Sequence, residues 1–208
     1  MIIDVEQQTP EWLEMRKGRV TGSRVGDVLA VLKKGGESAA RRNYRNELVT
    51  EMLTGLTAET YVSEAMMFGI EQEPYARAAY EMYSDVMVDP GRFAIHDTMP
   101  RFAASPDGLI GDDGVLEIKC PTSSVHIGYL LAGTVPEDYQ PQMLAEMACT
   151  GRKWCDFVSF DPRLPKHLQL FVRRFERDEE RIADMEKMVT LFLGDVDEIL
   201  ARLKDLQV

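Results

Sequence analysis

The chain has 208 residues, a length typical of a single domain, and 45% of them are hydrophobic, which suffices for a full core. Its formal net charge of -11 argues, taken as a whole, against a polyanionic partner. Three cysteines cannot form a closed disulfide framework. The sequence has no apolar run long enough to span a membrane and no signal-peptide pattern, which argues against a membrane protein and against an exported one. We therefore expect a soluble protein in a reduced, cytoplasmic setting.

The charge is distributed unevenly along the chain. Residues 16–45 contain nine basic and two acidic residues, whereas residues 178–208 contain four basic and nine acidic ones. A phosphate-binding face can therefore coexist with an acidic exterior, and a solvated helix surface explains the basic segment equally well. The loop KKGG at residues 33–36 either contacts a polyanion or lies in solvent.

Helical patterns dominate the first part of the chain. The segment TPEWLEMRKG combines a capping threonine with a proline at the first helical position and ends at Gly18. The segment TGSRVGDVLAVL predicts a second, short helix. A third helix, AARRNYRNELVTEMLTG, is predicted to carry Tyr44, Leu48 and Met52 on one face and to end at Gly55.

Long helices and strands alternate in the rest of the chain. A long helix is predicted after Ser63, and Pro74 should kink or interrupt it, because proline removes an intrahelical hydrogen bond. Short β-branched or aromatic runs then predict the strands VMVD, RFAIHD, RFAAS, GLIG and VLEIKC. Two helical segments follow, then the strands WCDFVSF and HLQLFVRRF and an amphipathic helix from residue 177. The apolar side of that last helix comprises Ile182, Met185, Met188, Val189, Phe192, Val196, Ile199 and Leu203.

The element order favours one mixed sheet with helices on its faces, in the α/β class. Within that sheet, the stretch SPDGLIGDDGVLEIKCP places charged residues in an apolar strand. Side chains on a strand alternate between its faces, so Glu117 and Lys119 share one face. If GDDG closes a hairpin, Asp107 in the preceding turn can meet Glu117 at the same strand edge.

Two converging carboxylates repel each other, and a divalent cation such as Mg²⁺ removes that repulsion. A lysine beside such a site can position water or neutralise charge that develops on a phosphate. Each part alone has an ordinary explanation: Pro-Asp-Gly is a common turn, and Glu-x-Lys can be the wet face of a sheet. Asp112 and Asp113 are assigned no role beyond the hairpin. Together, the turn aspartate, the ten-residue gap and Glu-x-Lys form a specific combination.

This combination resembles the PD-(D/E)XK nuclease superfamily, with Asp107 in its PD motif and Glu117 and Lys119 in its EXK motif. Further blocks, in the same order, resemble the phage lambda exonuclease, or YqaJ-type viral recombinase, family. These blocks are WLEMRKGRVTGS, FGIEQEPYAR, ASPDGLI, LEIKCP and YQPQMLAEMACTGRKWCDFVSFDPRL.

The resemblance implies an α/β (α+β-like) fold whose central mixed sheet, flanked by helices, forms a restriction-endonuclease-like core. We expect a single nuclease domain over residues 1–208. Its parts would be an N-terminal basic helical part at about 9–55, a catalytic core at about 63–175 and a C-terminal helix at about 177–206.

The resemblance also implies roles for individual residues. Asp107 and Glu117 would bind the metal ions together with the main-chain carbonyl of Ile118. Lys119 would orient the attacking water. Glu73 would lie across the cleft and complete the metal site.

Further roles follow from the same resemblance. Glu71, two residues from Glu73, is the obvious misassignment for that position. Gln142, rather than Gln140, would lie near the metal ions and the scissile phosphate. Arg16 and Ser23 would bind a terminal 5′-phosphate.

The activity implied is that of an Mg²⁺-dependent exonuclease with two ions per active site and Mn²⁺ as a substitute. It would digest linear double-stranded DNA from 5′ to 3′, release 5′-mononucleotides and leave 3′ single strands for phage-type recombination. Members of this family form ring-shaped homotrimers and act with a single-strand annealing protein, in the host cytoplasm if phage-encoded. Two alternatives stay open: a structure- or site-specific endonuclease on the same fold, and a non-catalytic DNA-binding or assembly module.

Overall fold

The computed structural model describes residues 1–30, 32, 36–57 and 63–206. Lys33, Lys34 and Gly35 of the predicted basic loop lie outside the described residues. The helices are α1 (Pro10–Arg16), α2 (Val25–Leu29), α3 (Ala39–Thr54), α4 (Glu64–Ser84), α5 (Ser123–Ala132), α6 (Gln140–Thr150) and α7 (Glu179–Lys204). The strands are β1 (Ile2–Ile3), β2 (Val20–Thr21), β3 (Asp89–Pro90), β4 (Phe93–Ile95), β5 (Phe102–Ala104), β6 (Gly108–Ile110), β7 (Gly114–Lys119), β8 (Trp154–Phe160) and β9 (Leu170–Glu176).

The strands of the described residues form two mixed sheets. The first sheet has the order β1-β4-β5-β2, and its β2–β5 pair is parallel. The second sheet has the order β3-β6-β7-β8-β9, and its β7–β8 pair is parallel. The α/β class is confirmed, and the strands divide between two sheets where the sequence pattern suggested one. Residue patterns indicate strands one by one, whereas their pairing depends on contacts between distant segments.

Strand β7 separates two hydrophobic cores. Val115 belongs to the larger core, which also contains buried residues of α3, α6 and α7. Leu116 and Ile118 belong to the smaller core, together with Ala76 and Tyr80 of α4. The predicted alternation of side chains along this strand is therefore observed, and α4 and α6 lie on opposite faces of the second sheet.

The helix ends follow the predicted capping residues. The hydroxyl of Thr9 accepts a hydrogen bond from the backbone N–H of Trp12 at 3.3 Å, and Gly55 ends α3 with φ of 70°. Helix α4 spans Glu64–Ser84 and is not interrupted at Pro74. Its residues Ala76 and Tyr80 pack on the second sheet. On the predicted shared face of α3, Tyr44 and Leu48 are buried, whereas Met52 is 45% exposed.

Helix α7 is amphipathic, as predicted, but it starts at Glu179 after Asp178 caps it. Its buried residues are Ile182, Met185, Val189, Phe192, Val196 and Leu200. Leu203 is 38% exposed and does not belong to the buried face, because the buried series continues from Val196 to Leu200. In the part of the chain that is described, none of the helices combines the length and hydrophobicity that crossing a bilayer requires.

Candidate active site

The hairpin of β6 and β7 brings the turn aspartate to the charged strand. Gly108 lies opposite Leu116 in the antiparallel register, so the next position along places Asp107 opposite Glu117. The backbone N–H of Asp107 donates to the carbonyl of Leu116 at 3.1 Å. The backbone N–H of Ile118 donates to Asp107 Oδ2 at 2.7 Å, which orients this carboxylate along the strand edge.

Contacts from other elements hold the turn that carries Asp107. Arg77 of α4 donates to the main-chain carbonyl of Asp107 at 2.7 Å, and Gln7 donates to the carbonyl of Pro106 at 2.9 Å. Gly91 packs so closely that a Cβ atom there would lie 1.7 Å from the carbonyl oxygen of Pro106. Contacts from three separate segments of the chain therefore fix the backbone of the turn that contains Asp107.

Glu117 and Lys119 point to the same side of β7 and form an ion pair. Glu117 is fully buried, and its Oε1 also accepts a hydrogen bond from Gln142 Nε2 at 2.6 Å. Its Oε2 is buried and has no hydrogen-bond partner among the described residues. The ammonium of Lys119 lies 5.2 Å from the ring centroid of Tyr139. The buried oxygen without a partner is an open position for a cation or a proton.

The carboxylates of this cluster raise one another's proton affinity. Burial, followed by the negative charge of Glu117, raises the pKa of Asp107 well above its usual range. Burial also raises the pKa of Glu73, against the opposing charge of Arg77. Burial alone would lower the pKa of Lys119, but the charges of Glu117 and Asp107 raise it. Lys119 thus lies among several acids, and this excess of negative charge favours the binding of a cation.

A cavity of about 420 Å³, which we call the acidic cavity, lies between α4 and the end of β7, and the fully buried Glu117 lies next to it without being part of its lining. Glu73, Asp107, Ile118 and Lys119 line it. Glu73 accepts a hydrogen bond from Arg77 at 3.2 Å, whereas Glu71 is exposed and outside the cavity lining. The structure therefore brings the four predicted residues together and leaves Glu71 out.

Helix α6 contributes two polar side chains behind the acidic cavity. Gln142 binds Glu117, as described above, and also donates to Glu146 Oε1 at 2.9 Å. Gln140 points elsewhere, since it bonds to Val135 and Arg181. The sequence reasoning missed Glu146, although its spacing of four residues from Gln142 indicates a shared helix face. Burial, followed by the charge of Glu117, raises the pKa of Glu146 well above its usual range.

A larger cavity of about 700 Å³, the basic cavity, adjoins the acidic one. Met66 and Ile70 of α4 line both cavities, so the two cavities adjoin at this part of the helix. Arg16 and Ser23, the residues predicted to bind a 5′-phosphate, line the basic cavity. The structure therefore places both predicted sites side by side.

Arg16 is suited to receive an anion. Its Nη2 donates to Thr21 Oγ1 at 3.3 Å, and its guanidinium carbon lies 4.2 Å from the ring centroid of Trp12. Burial lowers the pKa of Arg16. No carboxylate of the described residues forms a salt bridge with its guanidinium group. A partly buried guanidinium with free donors is typical of a phosphate-binding group.

Four other basic residues of the basic segment form salt bridges, namely Lys17, Arg24, Arg41 and Arg45. Arg24 pairs with Glu47 at 3.0 Å, and Arg41 pairs with Asp195 at 3.0 Å. Both acids lie outside residues 16–45, where the charge was counted. The net positive charge of this segment is therefore smaller in the structure than the residue count indicates, and Arg16 and Arg19 are the arginines of the basic cavity that form no salt bridge within the described residues.

The donor groups of the acidic cavity fit a hard divalent cation. Carboxylates and the Ile118 carbonyl are oxygen ligands of the kind that Mg²⁺ and Mn²⁺ prefer, and Glu117 Oε2 has no competing bond. Burial raises the pKa of the nearby Cys120 thiol to about 12, which disfavours a soft thiolate site. Among the described residues, no three His, Cys, Asp or Glu side chains could hold a metal ion together. Mg²⁺ is usually held by one or two carboxylates and completes its shell with water.

Comparison with known proteins gives a consistent picture. Residues 11–153 match the YqaJ-like viral recombinase domain. Structures of an alkaline exonuclease from Laribacter hongkongensis, one of them in complex with dAMP, are 43% identical and cover 94% of this chain and 96% of theirs, with a TM-score of 0.88. A phage-related exonuclease from Haemophilus somnus is 15% identical over 89% of this chain and 96% of its own, and its TM-score of 0.69 shows a shared fold. No curated protein matches the sequence.

Proposed function

Since this chain belongs to the family of YqaJ-like viral recombinase domains, we propose that it is a DNA exonuclease that requires Mg²⁺. The observation that carries the proposal is the convergence of Asp107, Glu117 and Lys119 at one strand edge, beside an acidic cavity suited to a divalent cation. Two carboxylates and a lysine are the groups that phosphodiester hydrolysis with a divalent cation needs. The overall similarity to an alkaline exonuclease supports the same reaction class.

Asp107, Glu117 and the Ile118 carbonyl would hold the ions, with Glu73 across the cavity. When bound, Mg²⁺ would act as a Lewis acid on the phosphodiester and make water more acidic; Mn²⁺ could replace it, and we propose two ions per site. Lys119 would orient the attacking water and neutralise charge that develops on the phosphate. Gln142 would fix Glu117 through its 2.6 Å hydrogen bond and lie near the scissile phosphate.

The basic cavity would receive the 5′-terminal phosphate through Arg16 and Ser23. A phosphate held there would place the adjacent phosphodiester at the acidic cavity, because Met66 and Ile70 line both spaces. This arrangement supports digestion of linear duplex DNA from 5′ to 3′, release of 5′-mononucleotides and 3′ single-stranded overhangs. Such overhangs would serve phage-type recombination.

We also propose that the protein forms a homotrimeric ring around DNA and acts with a single-strand annealing protein. A ring reconciles the net charge of -11 with DNA binding, because the basic cavity would face inward and the acidic surfaces outward. Light scattering at the working concentration should give three times the chain mass. A monomeric mass would contradict the ring.

The decisive assay compares linear 5′-phosphorylated, linear 5′-hydroxyl and covalently closed circular duplexes, with Mg²⁺ and with EDTA. We expect digestion only with Mg²⁺, preference for the 5′-phosphorylated linear duplex, and no cutting of the circle. Cutting of the closed circle would instead indicate an endonuclease. A protein that binds ends without cutting any substrate would indicate a non-catalytic module.

The role of Arg16 can be tested separately. Arg16→Gln should reduce the preference for 5′-phosphorylated over 5′-hydroxyl ends by about tenfold, a typical value for one charge-assisted contact. Arg42→Gln is the matched control, since Arg42 is exposed and outside the basic cavity lining. An unchanged preference in Arg16→Gln would contradict the assignment of this cavity.

A further inference from the structure

The carboxamide of Gln142 is held between two carboxylates. Its Nε2 donates to Glu117 Oε1 at 2.6 Å and to Glu146 Oε1 at 2.9 Å. A carboxamide nitrogen carries two hydrogens, so both of its donors are engaged. The orientation of Gln142, and with it one contact of Glu117, therefore depends on Glu146.

Glu146 is poorly explained as a residue that stabilises the fold. It is 1% exposed, and no basic side chain of the described residues forms a salt bridge with it. Its Oε2 lies 4.0 Å from Cys155 Sγ, a weak donor at a long distance. A buried carboxyl group without a cation destabilises a fold relative to an apolar side chain of similar size.

Its position on α6 gives Glu146 a clear geometric relation to the active site. It follows Gln142 by four residues, so both side chains lie on the helix face that covers β7. Glu117 lies beneath that face, on the strand that also carries Lys119. The chain from Glu146 through Gln142 to Glu117 thus connects α6 to β7, whose residues Ile118 and Lys119 line the acidic cavity.

We propose that Glu146 is a positioning residue that orients Gln142 and, through it, holds Glu117 in the geometry that binds the metal ion. The inference rests on the proposed function, because Glu117 matters only if the acidic cavity is the active site. Without Glu146, one donor of Gln142 loses its acceptor and the carboxamide can rotate away from Glu117 Oε1. Groups that orient metal ligands are commonly worth about 10- to 100-fold in metal affinity or activity.

The test compares Glu146→Gln, Glu146→Leu and the wild type. A glutamine can still accept the hydrogen bond from Gln142, whereas a leucine fills the same space without an acceptor. We expect Glu146→Gln to stay within about threefold of the wild type. Glu146→Leu should lose about 10- to 100-fold in kcat and in Mg²⁺ affinity, measured by calorimetric titration without DNA, while KM for DNA changes little. Urea unfolding without metal should show Glu146→Leu to be at least as stable as the wild type.

Asp161→Asn is the matched control, because Asp161, directly after β8, is also a fully buried acid but lies outside the acidic cavity lining. It should lower stability and leave kcat and Mg²⁺ affinity unchanged. The inference is overturned if Glu146→Leu retains wild-type kcat and Mg²⁺ affinity, or if both Glu146 variants lose activity only in proportion to lost stability. If the wild type digests no DNA, the proposed function fails, and the Mg²⁺ titration alone then decides the role of Glu146.

Discussion

Two groups of buried acids in and beside the second sheet differ in how their charge is compensated. Asp156 on β8 accepts two hydrogen bonds from Arg174, at 2.8 and 2.9 Å, and a third from Tyr80 at 2.7 Å. Asp161 lies just after the same strand, and its Oδ1 accepts hydrogen bonds from Arg163 Nε at 2.6 Å and from the backbone N–H of Arg163 at 3.0 Å. We call these two residues the scaffold acids.

The site acids, Asp107, Glu117 and Glu146, are treated in the opposite way. Their nearest charged neighbours are largely one another, and Lys119 is the cation that they share. Glu117 Oε2 has no hydrogen-bond partner in the described part of the chain. Glu117 on β7 and Asp156 on β8 lie on adjacent, paired strands, so one acid of each kind occurs in the same sheet.

The difference distinguishes acids that stabilise the fold from acids that the rest of the fold must stabilise. Burial would raise the pKa of Asp161, but hydrogen bonds from Arg163 and Ser123 lower it, whereas burial and Glu117 raise that of Asp107. A compensated buried acid contributes to folding, and an uncompensated one opposes it. Clusters of the second kind are typical of functional sites, where a cofactor or substrate supplies the missing charge.

The sharpest test of this contrast is Asp107→Asn. It should lower the rate of DNA digestion by roughly 10³-fold or more, the size expected when a group that acts on the transition state is removed. Its stability should equal or exceed that of the wild type, because a repelling charge is removed while the amide oxygen can still accept from Ile118. Initial rates and urea unfolding measure the two effects. Asp112→Asn, an exposed acid on the same hairpin, is the matched control and should change neither.

Asp156→Ala should show the reverse pattern. The buried hydroxyl of Tyr80 loses its acceptor and Arg174 loses its ion pair, so the free energy of unfolding should fall by about 2 kcal/mol. The rate of digestion and its Mg²⁺ dependence should stay unchanged below the unfolding transition. Lost activity in a variant that is still folded would remove the distinction between scaffold and site acids.

Adding Mg²⁺ should sharpen the comparison without any change to the chain. At ten times the dissociation constant, binding to the native state alone contributes about 1.4 kcal/mol, or about 4 °C in Tm for a domain of this size. Thermal unfolding with Mg²⁺ and with EDTA measures this shift. The shift should persist in Asp156→Asn and disappear in Asp107→Asn; equal shifts in both variants would place the ion elsewhere.

The pH dependence of stability should be the smallest effect and should differ in sign between the groups. Asp107 has a raised pKa in the folded state. Its contribution to the free energy of unfolding is therefore fully present below the unfolded-state pKa and is lost as pH rises through the folded-state pKa. Asp161 has a lowered pKa, so its contribution is present above the unfolded-state pKa and is lost as pH falls. In EDTA, Asp107→Asn should therefore gain more stability, relative to the wild type, at about pH 8 than at about pH 4. Asp161→Asn should lose more at about pH 8; parallel profiles would contradict both assignments.

Local features of this protein were predictable from residue order. Thr9 and Gly55 mark helix ends through side-chain and backbone preferences that need no distant partner. The hairpin aligns Asp107 with Glu117, because its short turn and the alternation of side chains define the register. These are short-range constraints, so the core of the candidate site could be located before the fold was known.

Other features could not be found in this way. Met52 follows the helical period of Tyr44 and Leu48, yet it is exposed, since burial depends on which neighbour covers the helix. Pro74 lies inside a continuous helix, because packing on the second sheet overrides a local preference. The acids Glu47 and Asp195, which neutralise the basic segment, are likewise identified only by contact.

The sequence by itself indicated the helices, the strands other than β1 and β2, the α/β class and the alignment of Asp107, Glu117 and Lys119, because periodicity, capping and turn chemistry act within a few residues. Only the tertiary structure decided that the strands divide between two sheets, that the basic cavity lined by Arg16 adjoins the acidic cavity and that Glu146 reaches Glu117 through Gln142. Those relations join segments far apart in the chain. They arise from the packing of α4 and α6 on opposite faces of the second sheet, which buried surface and side-chain fit determine together.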